Sequence, residues 1–141
     1  MMQQDAFHLQ IITPQHTFFD GAVTLLVVNL PDGEMGILKG HAPMAAAVSS
    51  GEVRFTTQGQ TRHAAVSDGF LSVGREGAVM TVLAAEWPED IDVARAQEQE
   101  RIARERLRQR QSVQEYEQAR MMLTRAMVRL RVSGEQDRVN Q

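Results

Sequence analysis

The chain changes its sequence language between Glu86 and Asp92, and that switch limits the fold to two modules of different kinds. Up to Leu83 it consists of short runs of Val, Leu, Ile, Thr and Ala, broken every few residues by Gly, Pro and Asp-Gly. After Pro88 there is no proline, and Gly134 is the only glycine. Arg, Glu, Gln, Ala, Met and Leu take over, and eleven of the fourteen arginines lie beyond residue 87. Branched apolar runs between turn formers favour strands, whereas straight-chain residues free of Gly and Pro favour helix. The switch predicts a β module over residues 1–87 and a helical module over 88–141. Two modules this small point to a part that binds with one half and moves or signals with the other.

In the first module, Phe7, Leu9 and Ile11 alternate with His8 and Gln10, the period of a half-buried strand. Thr24 to Leu30 reads as a continuous apolar strand, and Met35–Leu38, Met44–Val48, Val53–Phe55, His63–Val66, Phe70–Val73 and Ala78–Leu83 follow. Asp20-Gly21, Pro31-Asp32-Gly33, Gln58-Gly59-Gln60, Asp68-Gly69 and the Gly74–Gly77 stretch read as turns between them. Asp68-Gly69-Phe70 reads as a hairpin turn. Eight to ten short strands at close spacing predict an antiparallel β-sandwich or flattened barrel.

In the second module, Asp90 or Asp92 is the candidate N-cap of a helix running over about 92–111. Its acids (Glu98, Glu100) come early and its arginines (Arg104, Arg106, Arg108, Arg110) late, which suits the helix dipole. Its apolar positions are few: Ala94, Ala96, Ile102, Ala103 and Leu107. Ser112-Val113-Gln114-Glu115 has the form of a capping box and opens a second helix over about 113–132. On it Tyr116, Ala119, Leu123, Ala126 and Leu130 recur at steps of three and four, a seam for a partner helix. Ser133-Gly134 ends it, and the tail from Glu135 to Gln141 reads as frayed. The fold class is α+β, an antiparallel β-sandwich followed by a two-helix antiparallel hairpin.

Composition narrows the function. The net charge is -3, with residues 1–87 net acidic and residues 88–141 close to neutral, which does not suit nucleic acid as a partner. The arginines of the second half alternate with glutamate and lack aromatics, the pattern of a solvated helix face. The absence of cysteine excludes disulfides, thiol nucleophiles and cysteine-bound zinc. The four histidines have no metal-ligand spacing, and no nucleophile or metalloprotease motif occurs. No apolar run is long enough to span a membrane, and the first residues lack the pattern of a secretory signal. Asp32 to Pro43 packs three glycines and a histidine into twelve residues. On chemistry alone it is two tight turns joining short strands, although loops on a rigid scaffold are where contacts concentrate.

The order of these signals resembles one family. L-x-I-I-T-P (Leu9 to Pro14), Phe19-x-Gly21-x-Val23, the block D-G-E-M-G-I-L-x-G-H-A-P (Asp32 to Pro43) and Gly51-Glu52-Val53 carry the resemblance. Asp68-Gly69-Phe70-x-x-Val73, Val82-Leu83-Ala84 with Glu86, and Ile91-Asp92-x-x-Arg95-Ala96 extend it, so that it covers residues 7–132. The chain is similar to the epsilon subunits of bacterial F-type ATP synthases, whose mitochondrial counterpart is the delta subunit. The resemblance implies a non-catalytic part of the rotating central stalk that needs no cofactor. It implies a sandwich that binds the gamma subunit and the c-ring, with Glu34, Met35 and His41 at the c-ring contact. It implies helices that regulate ATP hydrolysis and reach the alpha/beta head when extended. It also implies a peripheral place on the cytoplasmic face of the bacterial cell membrane, with membrane association only through the complex.

Family members that bind ATP as a regulatory ligand use an I/L-D-x-x-R-A motif, matched here by Ile91, Asp92, Arg95 and Ala96, with an upstream acid at Glu86 and two second-helix arginines at Arg125 and Arg129. They carry one more first-helix arginine where this chain has Ile102, so one phosphate-facing cation is missing. Two rivals stand beside this reading. One is a free-standing β-sandwich ligand-binding protein with a coiled-coil dimerisation tail. The other is a small hydrolase using His41 and Asp68.

Overall fold

A computed structural model of the chain describes residues 5–109 and 111–134. The chain divides into two compact units, Met1–Glu86 and Trp87–Gln141. Trp87 falls with the helical unit because its carbonyl accepts from the Asp90 N–H (3.0 Å), which opens the 3₁₀ turn Pro88–Asp90.

The described residues of the first unit form ten strands: β1 (Phe7–Ile12), β2 (Thr17–Val23), β3 (Leu25–Leu30), β4 (Gly33–Ile37), β5 (Met44–Val48), β6 (Gly51–Thr57), β7 (Gln60–Val66), β8 (Gly69–Gly74), β9 (Gly77–Val82) and β10 (Ala85–Glu86). They pair as two five-stranded sheets, ordered β2-β1-β9-β8-β5 and β10-β7-β6-β3-β4. Alternate residues of the central strands turn inward, so Leu9 and Ile11, Leu26 and Val28, Val53 and Phe55, and Leu71 and Met80 are fully buried between the sheets. The Gln58-Gly59 loop joins β6 to β7 with both residues at positive φ (52° and 77°), the two-residue turn whose twist matches the strands.

Three details depart from the sequence reading. The pairing is antiparallel except for β1 and β9, which run parallel from His8↔Gly77 to Ile12↔Thr81. Asp20-Gly21 is no turn: it lies inside β2, where Gly21 pairs with Leu9. A Cβ at Gly21 would stand 3.1 Å from the Phe19 ring, so glycine serves there as room for an aromatic neighbour. Asp68-Gly69 is not a hairpin tip either, since β7 and β8 lie in different sheets. A Cβ on Gly69 would meet the Thr81 carbonyl oxygen at 2.0 Å, so only glycine allows the chain to cross between the sheets this close to β9. The Asp68 carboxylate holds the crossing by accepting from the Ser50 N–H and hydroxyl, each at 2.9 Å.

The second unit holds α1 (Val93–Leu107) and α2 (Val113–Ser133). Asp92 caps α1 by accepting from the Arg95 N–H (3.0 Å), and Ser112 caps α2 by accepting from the Glu115 N–H (3.1 Å). α1 stops at Leu107, short of the expected residue 111, because no apolar residue follows that could be buried. The N–H groups of Arg108 and Gln109 turn back to the carbonyls of Glu105 and Arg106. Gly134, at φ 85°, closes α2. Arg110 and the tail from Glu135 to Gln141 lie outside the described residues.

The two helices pack along each other. On α2, Ala119, Ala126 and Leu130 are buried and Leu123 is half-buried, but Tyr116 is 44% exposed. α1 ends too early to offer Tyr116, in the first turn of α2, an apolar surface. Val128 and Val132 are also buried, a stripe that the three-four spacing did not reveal, and α2 also touches the Pro88–Asp90 turn. On α1 the fully buried residues are Ala96 and Ala103, while Ala94 is exposed. Each helix thus places two buried alanines seven residues apart (Ala96 and Ala103, Ala119 and Ala126), a seam that lets backbones come close but buries little apolar area. An alanine methyl is worth about 0.8 kcal/mol, against about 1.5–3 kcal/mol for a leucine.

Candidate functional site: an arginine-lined groove on the helical hairpin

α1 is charged along most of its surface. Arg101 pairs with Glu98 (2.7 Å), Arg104 with Glu100 (3.6 Å) and, on α2, Arg120 with Glu117 (3.7 Å). The Arg101 hydrogen bonds hold the Glu98 carboxyl below its ordinary range and raise the guanidinium in turn. These pairs are exposed and each is worth only a few tenths of a kcal/mol.

Arg95, Arg125 and Arg129 stand apart, because they line a groove of about 390 Å³ between α1 and α2. Gln99, Gln118, Met121, Met122 and Ala126 complete its walls. No carboxylate is among the lining residues, whereas Arg95, Arg125 and Arg129 place three cationic side chains on the lining. Guanidinium forks suit phosphate, the glutamine amides can donate and accept, and the methionines give an adaptable apolar wall. In chemical terms the groove suits an anion that carries an uncharged, flat or apolar part.

The motif residues divide around this groove. Arg95 enters it. Asp92 does not, since its carboxylate caps α1, and Ile91 and Ala96 are buried packing residues. Ile102 is half-buried and does not line the groove. Glu86 belongs to the first unit, half-buried on β10 opposite Ala65. The sequence reading missed Gln118, Met121 and Met122. Stepping back from Arg129 and Arg125 by three and four residues along the same helix face leads to all of them.

In the first unit, Glu34 lies on β4 rather than in a loop, and its carboxylate pairs with Arg54 of β6 (2.9 Å). Arg54 also meets Glu52 (3.2 Å), and Glu52 accepts from His63 (3.0 Å), which makes a charged chain across the outer face of the second sheet. Glu34 first and Glu52 second push the Arg54 guanidinium up. Met35 is half-buried on the same strand. His41 lies beyond β4, where its Nδ1–H donates to the Ala42 carbonyl (2.8 Å) and its backbone N–H to Leu38 (3.1 Å). The hydrolase pair is not assembled, because Asp68 is bonded by Ser50 and the Nδ1 of His41 by Ala42. Among the described residues no three His, Asp or Glu side chains are placed to hold a metal ion, and no helix is long and apolar enough to cross a membrane.

A ten-stranded sandwich joined to an alanine-seamed hairpin defines a two-unit class, and comparison with known proteins identifies it. Residues 6–88 match the ATP synthase delta/epsilon chain β-sandwich domain, and residues 89–134 match the long α-helix domain of the same chain. The ATP synthase epsilon chain of Caldanaerobacter subterraneus subsp. tengcongensis is 41% identical over 129 residues, covering 91% of this chain and 94% of that one. That of Symbiobacterium thermophilum is 43% identical over 130 residues, covering 92% and 94%. Among solved structures, a chain of the Euglena gracilis mitochondrial ATP synthase (OSCP, F1 and c-ring) superposes with a TM-score of 0.73 at 18% identity, over 96% of this chain and 82% of that one. A chain from the central stalk and c-ring of the Tetrahymena thermophila mitochondrial enzyme superposes at 0.66 with 8% identity, over 90% and 96%. These two likenesses are of fold. The chain belongs to the ATP synthase delta/epsilon family, and the relatives that show this are epsilon chains.

Proposed function

We propose that the chain is a non-catalytic rotor subunit in the central stalk of a proton-translocating F-type ATP synthase. It couples the alpha/beta catalytic head to the c-ring through gamma and restrains ATP hydrolysis through α1 and α2. In the cell it sits peripherally on the cytoplasmic face of the bacterial membrane, held there by the complex. The observation that carries this reading is the alanine seam, read in a chain of this family. It gives a first helix that fully buries only two alanines, while the sandwich has a complete core of its own, as a fixed binding half and a movable regulatory half require.

The c-ring contact falls on Glu34, Met35 and His41. Glu34 is engaged with Arg54, but exposed ion pairs are worth about 0.2–1 kcal/mol, and Arg54 keeps Glu52 as a partner. Glu34→Ala with His41→Ala is therefore expected to leave the sandwich folded and assembled while lowering proton pumping per ATP hydrolysed. Full pumping by an assembled double variant counts against the assignment.

ATP is the regulatory ligand proposed for the arginine groove, its phosphates meeting Arg95, Arg125 and Arg129. Nucleotide at about a hundredfold over its dissociation constant favours the closed hairpin by about 2.7 kcal/mol. Titration calorimetry of the full chain is expected to give saturable heat at up to millimolar ATP. Arg125→Gln should weaken binding about tenfold or more, the loss of one charged hydrogen bond. No heat at millimolar ATP sinks this part of the proposal and leaves the stalk role standing.

A further inference from the structure

At one end of the sandwich, the Leu38–Pro43 segment, the start of β1 and the Gly74–Gly77 turn of the β8–β9 hairpin enclose a cavity of about 550 Å³. It lies wholly in the first unit. Its walls divide by chemistry, with Phe7, Leu38 and Pro43 offering apolar carbon, Lys39 and Arg75 offering cationic donors, and His41 a ring nitrogen. Leu38 is 60% exposed there, so its side chain is open to contact.

His41 is already oriented. A carbonyl oxygen only accepts, so the contact with Ala42 at 2.8 Å places the proton on Nδ1 and leaves Nε2 an acceptor, suited to a ligand hydroxyl and not to a phosphate oxygen. His8 also borders the cavity, but its Nε2 is bonded to Asp20 (2.5 Å), whose carboxyl is held below its ordinary range by His8 first and Gln10 second. Glu76 is the one carboxylate on the lining. Lys39 and Arg75 place two cationic side chains on the same lining. The volume lies in the range of about 300–1,000 Å³ typical of organic-ligand pockets, more than a bare ion needs. The planar fork of Arg75 suits two phosphate oxygens at once.

We propose that this cavity binds a phosphodiester monoanion carrying an apolar group, with Arg75 and Lys39 on the phosphate, Phe7, Leu38 and Pro43 against the apolar part, and His41 beside the bound ligand. The inference stands on the sandwich alone and does not depend on the rotor reading. His41 is shared with the proposed c-ring contact, so the isolated full-length chain, with no ring present, reads the cavity by itself.

The source of the phosphodiester is a lipid headgroup or a soluble ester, and two arms separate them. In the first, the full-length chain is floated with phosphatidylcholine vesicles with and without phosphatidylglycerol. In the second, the imidazole signal of His41 is followed by NMR during titration with dibutyl phosphate, a soluble phosphodiester with short apolar chains. The chain carries a net charge of -3, so unspecific attraction to anionic vesicles is not expected and retention requires a local site. The expected result is retention by the phosphatidylglycerol vesicles, reduced about tenfold or more by Lys39→Gln with Arg75→Gln and unchanged by Arg62→Gln on β7 in the other sheet. Lys39 and Arg75 are exposed, and an unchanged thermal midpoint confirms that the double variant is folded. Binding of the soluble ester alone, with the same dependence on the two cations, supports the site and makes its ligand water-soluble. Binding of neither probe, or binding that the double variant leaves intact, overturns it.

Discussion

A chain truncated after Asp90 is expected to bind gamma and support ATP synthesis as the full chain does, while its complex hydrolyses ATP severalfold faster. The sandwich has its own closed core, with Leu9, Ile11, Leu26, Val53, Phe55, Leu71 and Met80 buried between the two sheets, so losing the helices should leave it folded. The hairpin is different. α1 buries only Ala96 and Ala103 fully, and a helix of 15 residues is marginal by itself in water. The closed and extended arrangements therefore lie within a few kcal/mol, where each 1.4 kcal/mol changes their ratio about tenfold. In the regulatory role proposed above, the arginines between Arg101 and Arg131 meet acidic surfaces of the alpha/beta head when the helices extend beside gamma, and oppose rotation in the hydrolysis direction, so the proposal requires that removing them removes the block. Equal hydrolysis rates for truncated and full-length complexes across ATP concentrations would contradict this, as would failure of the truncated chain to assemble.

Phe55→Ala should have the largest effect on stability. Phe55 is 1% exposed at the centre of β6, and its ring lies 4.5 Å from that of Phe19, so one side chain ties β2 in the first sheet to β6 in the second. Truncating a buried phenylalanine costs about 3–5 kcal/mol, a large share of the roughly 5–15 kcal/mol available to a domain. The thermal midpoint should fall by well over about 10 °C, if the variant folds at all. Phe70→Ala is the control, because Phe70 is 71% exposed on β8 and its loss should change stability by no more than about 0.5 kcal/mol. Comparable midpoints for the two variants would mean that the core does not lie between the sheets as described.

The particular elements explain what could be read from the residues alone. Strands with clean alternation, such as Phe7–Ile11, and caps with a fixed local geometry, such as Ser112 with Glu115, were legible because their causes lie within a few neighbouring residues. β2 was hidden because Asp20-Gly21 has the composition of a turn, and only the Phe19 ring explains the glycine. The Asp68-Gly69 crossing depends on Ser50 and Thr81, 18 and 12 positions away, and the parallel pairing of β1 with β9 joins residues 69 positions apart, which no local pattern encodes. Tyr116 fitted the seam by spacing, but its burial depended on where α1 ends. The candidate site was legible only in part. Arg125 and Arg129 were indicated by the family resemblance, whereas the Glu34–Arg54–Glu52–His63 chain required the pairing of separate strands. Of the motif residues, Asp92 was legible as a candidate N-cap and does cap α1, while the burial of Ile91 and Ala96 depends on packing that residue identity does not encode.

The stalk assignment is tested by co-purification. An affinity-tagged full-length chain, expressed with the gamma subunit of the same ATP synthase and passed through size exclusion, is expected to elute as a one-to-one complex with gamma, and the chain truncated after Asp90 should do the same. A chain that elutes as a stable homodimer with gamma in a separate peak would contradict the account and favour a free-standing sandwich with a dimerising helical tail.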